Sequence, residues 1–210
     1  MRRRIGGKIP DRRWRVAAML GMAACGGTIS QLPSDPTATP KSPPLPLGQV
    51  YVLESWGAPA EDTIVRFRVD EPRIVLLRRG SPDNAEFARL LFPAGTVVPR
   101  SGDSSTITIR TRPGVYGIDV ETEDDIQPGA VVTFSYGIHF LAPAGARAAY
   151  GSDIRFERFL AVSQLVSDST VVFLDSWRPA SDLLTAPLPG SGQYLVAAPR
   201  TAPRFRTVIW

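Results

Sequence analysis

Histidine and cysteine each occur once in the 210 residues, as His139 and Cys25. One cysteine excludes an intrachain disulfide, and one of each excludes a Cys/His metal cluster. A Ser-His-Asp triad would have to use His139. Lysine is nearly as scarce: Lys8 and Lys41 stand alone, and the chain beyond them uses only arginine. The apolar run Val16–Ala24 is too short for a membrane span, covering ~14 Å at ~1.5 Å per residue. Proline (20) and glycine (18) are plentiful, which suits short strands joined by turns. With 43% apolar and 21% charged residues, the chain can bury a core and form one ordinary domain or two small ones.

The formal charge of +4 invites a nucleic-acid reading, but the charge is unevenly placed. Residues 1–24 hold seven basic side chains and one acid, whereas the remainder carries 17 basic against 19 acidic residues. The folding part is therefore slightly acidic and has no basic stripe, so nucleic acid is not an expected partner.

A basic stretch ending at Arg15, an apolar stretch and then small residues follow the order of a secretory signal peptide. Met22-Ala23-Ala24-Cys25 resembles the lipoprotein box of bacteria. In that family the cysteine is lipidated and the peptide is cut before it. The resemblance implies a signal peptide over 1–24, lipidation at Cys25 and a membrane partner through the N-terminal lipid. Arg12-Arg13 hints at twin-arginine export, but Arg15 stands where that motif wants an apolar residue. The family's retention signal, an aspartate after the cysteine, is replaced by Gly26. The expected location is the bacterial cell envelope, with the outer membrane or periplasmic face favoured.

Residues 25–48 read as a Pro-rich, disordered tether, with Pro33, Pro36, Pro40, Pro43, Pro44 and Pro46 favouring polyproline II. From residue 49 the pattern becomes strands. Val65, Phe67 and Val69 alternate with Arg66 and Arg68, and 105–110 and 132–140 alternate likewise. Further runs are 50–55, 73–78, 115–120, 154–162, 170–175, 193–198 and 204–209. Period two with Gly/Pro punctuation predicts antiparallel sheets with one wet face, an all-β sandwich over 49–210. Ser81, Pro82 and the spacing of Phe87, Leu90 and Leu91 predict one short helix near 82–91.

Leu91-Phe92-Pro93-Ala94-Gly95-Thr96-Val97 resembles the apolar-x-Pro-x-Gly-Ala-Leu phrase of the ZU domain, the β-sandwich of ankyrins and netrin receptors. The strands that follow it there have counterparts at 106–109, at 114–118 and, led by Pro128, at 126–134. Gly190-Ser191-Gly192-Gln193-Tyr194-Leu195-Val196 is similar to the closing strand of bacterial relatives. A generic immunoglobulin-like sandwich remains the alternative, since any sandwich needs Pro-x-Gly turns. The chain departs from the family where Asp119, Glu121, Glu123, Asp124 and Asp125 replace its usual Pro and Gly. The resemblance implies protein–protein contact and no cofactor. Some ZU-containing proteins cleave themselves at His-Phe-Ser; here Leu141 follows His139-Phe140, so the nucleophile is missing.

Four features carry the remaining chemistry. His139 shares a strand face with Thr133, Ser135 and Gly137, which reads as solvent rather than as a catalytic position. Asp119, Glu121, Glu123, Asp124 and Asp125 form the one acidic cluster; a solvated hairpin end is expected, and a weak calcium site is the residual reading. Trp56 and Trp177 sit in echoing phrases, Leu53-Glu54-Ser55-Trp56 and Leu174-Asp175-Ser176-Trp177. They are the candidate binding surface, although the average burial of tryptophan favours plugs over the sandwich ends. The expected function is that of a lipid-anchored, non-enzymatic envelope protein. Its sandwich would contact a protein partner or serve as an accessory subunit of an envelope complex. A carbohydrate-binding module is the first rival and a hydrolase the second.

Overall fold

The alternation seen in the sequence becomes two facing walls. The computed structural model describes residues 43–137 and 140–202, so the expected signal peptide, Cys25, most of the expected tether, His139 and the run 204–209 lie outside the described residues. The larger sheet has the order β1 (Leu45–Pro46), β12 (Thr170–Phe173), β11 (Ala161–Ser167), β14 (Gly192–Pro199), β8 (Gly117–Glu121), β7 (Ser104–Thr111) and β3 (Thr63–Arg68), with β2 (Val50–Val52) also paired to β14. The smaller sheet has the order β13 (Leu183–Pro187), β10 (Val131–Ser135), β5 (Glu86–Phe92) and β4 (Arg73–Arg78). A two-stranded ribbon joins β6 (Val97–Val98) to β9 (Asp125–Ile126). All the named pairs are antiparallel.

The two main sheets share one apolar core. Val65, Ile107, Ile109 and Val196 from the larger sheet belong to the same buried cluster as Leu77, Leu90, Phe92 and Phe134 from the smaller. Phe67 meets Phe92 across the gap with ring centres 5.7 Å apart, and Phe87 stacks on Tyr116 at 5.3 Å. Each fully buried Leu or Phe contributes roughly 1.5–3 kcal/mol. The fold is an all-β sandwich.

The expected helix over 82–91 is instead a turn followed by β5. Leu77 pairs with Ala88 and Arg78 with Glu86, so Phe87 is the extra residue of a β-bulge. The bulge brings both Phe87 and Ala88 into the core and then restores alternation through Leu90 and Phe92. A bulge thus imitates the three-residue spacing of a helix. The helices lie elsewhere, at α1 (Ala146–Tyr150) and α2 (Asp153–Glu157), the latter inside the run expected as strand 154–162. Ser152 caps α2 by accepting a hydrogen bond from the Arg155 amide, and Phe156 is its buried residue. Both helices pack an aromatic cluster in which Tyr150 and Phe156 rings lie 5.4 Å apart.

The sandwich also begins earlier than residue 49. Leu45 pairs with Val171, and the Leu47 amide donates to the Ser169 carbonyl at 2.7 Å. Leu45 and Leu47 pack on a small cluster of Val50, Val171 and Ala197. Proline is tolerated at Pro46 because β1 is an edge strand. The last residues assigned to the tether are therefore part of the sheet.

Candidate functional site

Both echoing tryptophans lie on the surface, Trp56 at 56% and Trp177 at 46% exposure, so neither is an end plug. In each phrase the serine ties the loop down and the next side chain is left outside. Ser55 Oγ accepts from Arg79 at 2.9 Å. Ser176 Oγ accepts from the Val162 amide at 2.9 Å and donates to the Leu174 carbonyl. Leu53, at the head of the first phrase, is fully buried. Arg178 fastens the far side of Trp177 by donating to the carbonyls of Glu157 (2.5 Å) and Leu160 (3.0 Å).

Arg79 is the anchor of the Trp56 loop, and sequence reasoning missed it. It is 2% exposed. Its guanidinium donates to the carbonyls of Trp56 (2.9 Å) and Ala58 (3.2 Å), to Ser55 Oγ and to the Tyr116 hydroxyl (3.0 Å). It also lies 5.2 Å from the Phe87 ring centre and 5.4 Å from that of Tyr116, with the Asp83 carboxylate at 3.9 Å. A planar fork of five donors reaches more acceptors, spread more widely, than the three donors of a compact ammonium. Burial raises the Tyr116 hydroxyl above its ordinary pKa, against the opposing pull of Arg79. The sequence signal is faint, since Arg78 and Arg79 are adjacent and only strand parity separates the exposed one from the buried one.

Trp177 extends the smaller sheet. Its amide and carbonyl both bond to Thr185 at 2.9 Å, which adds a single residue beside β13. Directly opposed residues project to the same face. The outer face of the sheet therefore reads, in register, Leu76, Arg89, Thr133, Thr185 and Trp177. The neighbouring row is wholly apolar: Ile74, Leu91, Val131 and Pro187. Ile74 is 54% and Leu76 40% exposed. A groove of about 420 Å³ adjoins Pro187 and is lined by Val172, Phe173, Leu174 and Pro189. Trp56 lies in a separate loop, where Glu54 bridges to Val115 and the Trp56 carbonyl accepts from the Arg79 side chain.

The acidic cluster is broken up. Asp119 pairs with Arg112 at 3.2 Å and Glu121 with Arg110. Asp124 accepts from the Arg100 amide at 2.9 Å, while Glu123 and Asp125 are exposed. Among the described residues no group of three or more His, Cys, Asp or Glu could hold a metal ion. Two arginines and a backbone amide thus face three of the five carboxylates that a weak calcium site would draw on.

A recess of about 380 Å³ is lined by Tyr136, Phe140, Glu157 and Asp182. The Tyr136 hydroxyl donates to Glu157 Oε1 at 2.9 Å, with the Ser181 carbonyl at 3.1 Å. Burial is the main cause that raises this hydroxyl's pKa. The tyrosine joins the helical segment to the β13 approach. Among the described residues no helix is long and apolar enough to cross a membrane. Comparison of the chain with protein-family models, with curated proteins and with solved structures returned no match.

Proposed function

We propose that this chain is a lipid-anchored protein of the bacterial cell envelope whose β-sandwich works by contact with a protein partner, as an accessory subunit of an envelope complex. The observation that carries the contact reading is the outer face of the smaller sheet, where an in-register apolar row runs beside an exposed, pinned Trp177. Solvent-exposed tryptophan on a rigid scaffold is the residue type that anchors interfaces, because it buries a large area with little loss of side-chain freedom. The ZU-like punctuation at 91–97 and 126–134 points the same way. The lipoprotein-type box ending at Cys25 supports the anchor, and the Pro-rich stretch after it gives the sandwich reach from a lipid surface.

The test has two arms. Cys25→Ser in the native host should shift the protein out of the membrane fraction or leave an uncut precursor; full processing with unchanged membrane residence would end the anchor reading. Trp177→Ala should hold stability within about 1 kcal/mol while the cross-linked partner seen with the wild-type chain disappears. An unchanged cross-linking pattern in both Trp177→Ala and Trp56→Ala would end the contact reading.

A further inference from the structure

We infer that the outer side of α2 docks on a bilayer that carries anionic phospholipid, with the guanidiniums of Arg155 and Arg158 on lipid phosphates and Ile154 at the acyl boundary. The inference rests on the lipid-anchor reading, which keeps the sandwich within reach of such a surface.

Helix geometry brings these residues together. Successive residues turn by ~100° about a helix axis, and Phe156 is the residue of α2 that enters the core. Ile154 and Arg158 therefore stand almost opposite Phe156, with Arg155 and Phe159 beside them on one flank. All four line a single hollow of about 660 Å³, together with Ser152. Ile154 is 68% exposed. Phe159 is half-buried, its ring 5.3 Å from that of Tyr150 and packed on the main core, so the hollow has a fixed apolar wall.

The charge of the hollow is of one sign. No carboxylate lines it. Asp153 accepts from Arg147 Nε at 3.1 Å, and Glu157, on the other flank of the helix, accepts from the Tyr136 hydroxyl at 2.9 Å. Arg155 and Arg158 are exposed, and among the described residues neither has an ion-pair partner. From residue 25 onward the chain carries 17 basic against 19 acidic residues, so this corner is positive on a slightly acidic domain.

That combination selects a bilayer as the occupant. A soluble anion would satisfy the two cations and leave Ile154 in water. A bilayer takes both, since interfacial binding joins buried apolar surface to attraction for anionic lipid, and arginine stems lie along the apolar boundary while their heads stay wet. Each arginine near an anionic surface strengthens docking by about fivefold. A patch this small is weak in free solution, but in an anchored chain it acts at a high effective concentration. Docking also orients the contact face: Arg178 ties the residue after Trp177 to the carbonyls of Glu157 and Leu160, at the end of the same segment.

The test uses the full chain, purified from cells in mild detergent and mixed with excess vesicles of phosphatidylcholine, with or without phosphatidylglycerol. Flotation with the neutral vesicles reads the anchor by itself, so its failure is seen separately from failure of the docking surface. Amide hydrogen exchange then reads α2. The expected result is slower exchange at 154–159 with the anionic vesicles only, reversed by high salt. Arg155→Gln with Arg158→Gln should weaken this docking by about 30-fold, and the corresponding pair of lysine substitutions should keep it. Ile154→Ser should weaken it by about tenfold. The cap of α2 uses the Arg155 amide and not its side chain, so the helix survives these changes. Equal exchange on both kinds of vesicle overturns the inference, as does slowing that persists in the double glutamine variant. Slowing by inorganic phosphate without vesicles would mean that a soluble anion fills the hollow, which overturns it as well.

Discussion

Replacing Arg79 by methionine keeps most of the side-chain volume and removes every donor. Ser55 Oγ, the carbonyls of Trp56 and Ala58 and the Tyr116 hydroxyl would all lose a partner, and the Phe87 and Tyr116 rings would lose the cation beside them. Hydrogen bonds to a charged group contribute about 1.5–3 kcal/mol each, but those made by one side chain do not add. Some acceptors lie at the loop and would recover water, whereas the Tyr116 hydroxyl is buried and would keep only the Tyr136 carbonyl at 3.3 Å. The net cost should be about 3–5 kcal/mol, the range for breaking a buried charged network from one side. Against a total stability of roughly 5–15 kcal/mol, that is a large fraction. Arg79→Lys should recover about half, because an ammonium keeps the charge but cannot span all the acceptors. Urea unfolding monitored by tryptophan fluorescence and by circular dichroism reads both quantities. The native-state emission of Trp56 should also change in Arg79→Met, since its loop is released before the sandwich opens. A loss below about 1 kcal/mol with unchanged emission would refute the reasoning and reduce Arg79 to a side chain that is merely covered.

Two more outcomes follow from the same packing. Burial pushes the Tyr150 hydroxyl up to about 12 and the Tyr194 hydroxyl in the same direction, with the neutral form favoured in the folded chain. Both donate to backbone carbonyls, of Pro199 and Gly190. A folded-state pKa raised above the unfolded value near 10 contributes stability that is complete below about pH 10 and is lost as pH rises through 12. Spectrophotometric titration should therefore show delayed phenolate release coinciding with loss of structure; full release at ordinary pH with the fold intact would contradict it. Separately, a chain beginning at residue 49 should still fold but be about 1–3 kcal/mol less stable than one beginning at 43, because it lacks Leu45, Leu47 and the β1 pairing. Equal stabilities would show that the early strand adds nothing.

Strands with strict alternation were legible in the sequence: along 63–68, 104–111 and 131–135 the more buried residues alternate with the more exposed ones, as the pattern requires. Where the pattern failed, a physical cause can be named. In β5 a bulge converted period two into a spacing of three and produced the appearance of a helix. In β13 the residues Leu184, Thr185 and Ala186 are all buried, so no alternation marks the strand. Thr185 faces outward yet is only 4% exposed, lying between Thr133, at 2.9 Å between hydroxyl oxygens, and the added Trp177. The cap that begins α2 was present as Ser152-Asp153, but the apolar run after it reads equally as strand.

The site was half legible for a different reason. The repeated phrase identifies Trp56 and Trp177 as a pair, but residue averages predict burial, and the tethers that keep both side chains outside are long-range. Ser55 reaches a residue 24 positions away and Ser176 one 14 positions away. No local pattern encodes such a partner. The same holds for the apolar row on the outer face. Ile74, Leu91, Val131 and Pro187 come from four strands, and each looks in its own segment like an ordinary exposed or half-buried residue. Only register makes them contiguous. A binding face written across strands is invisible until the pairings are known.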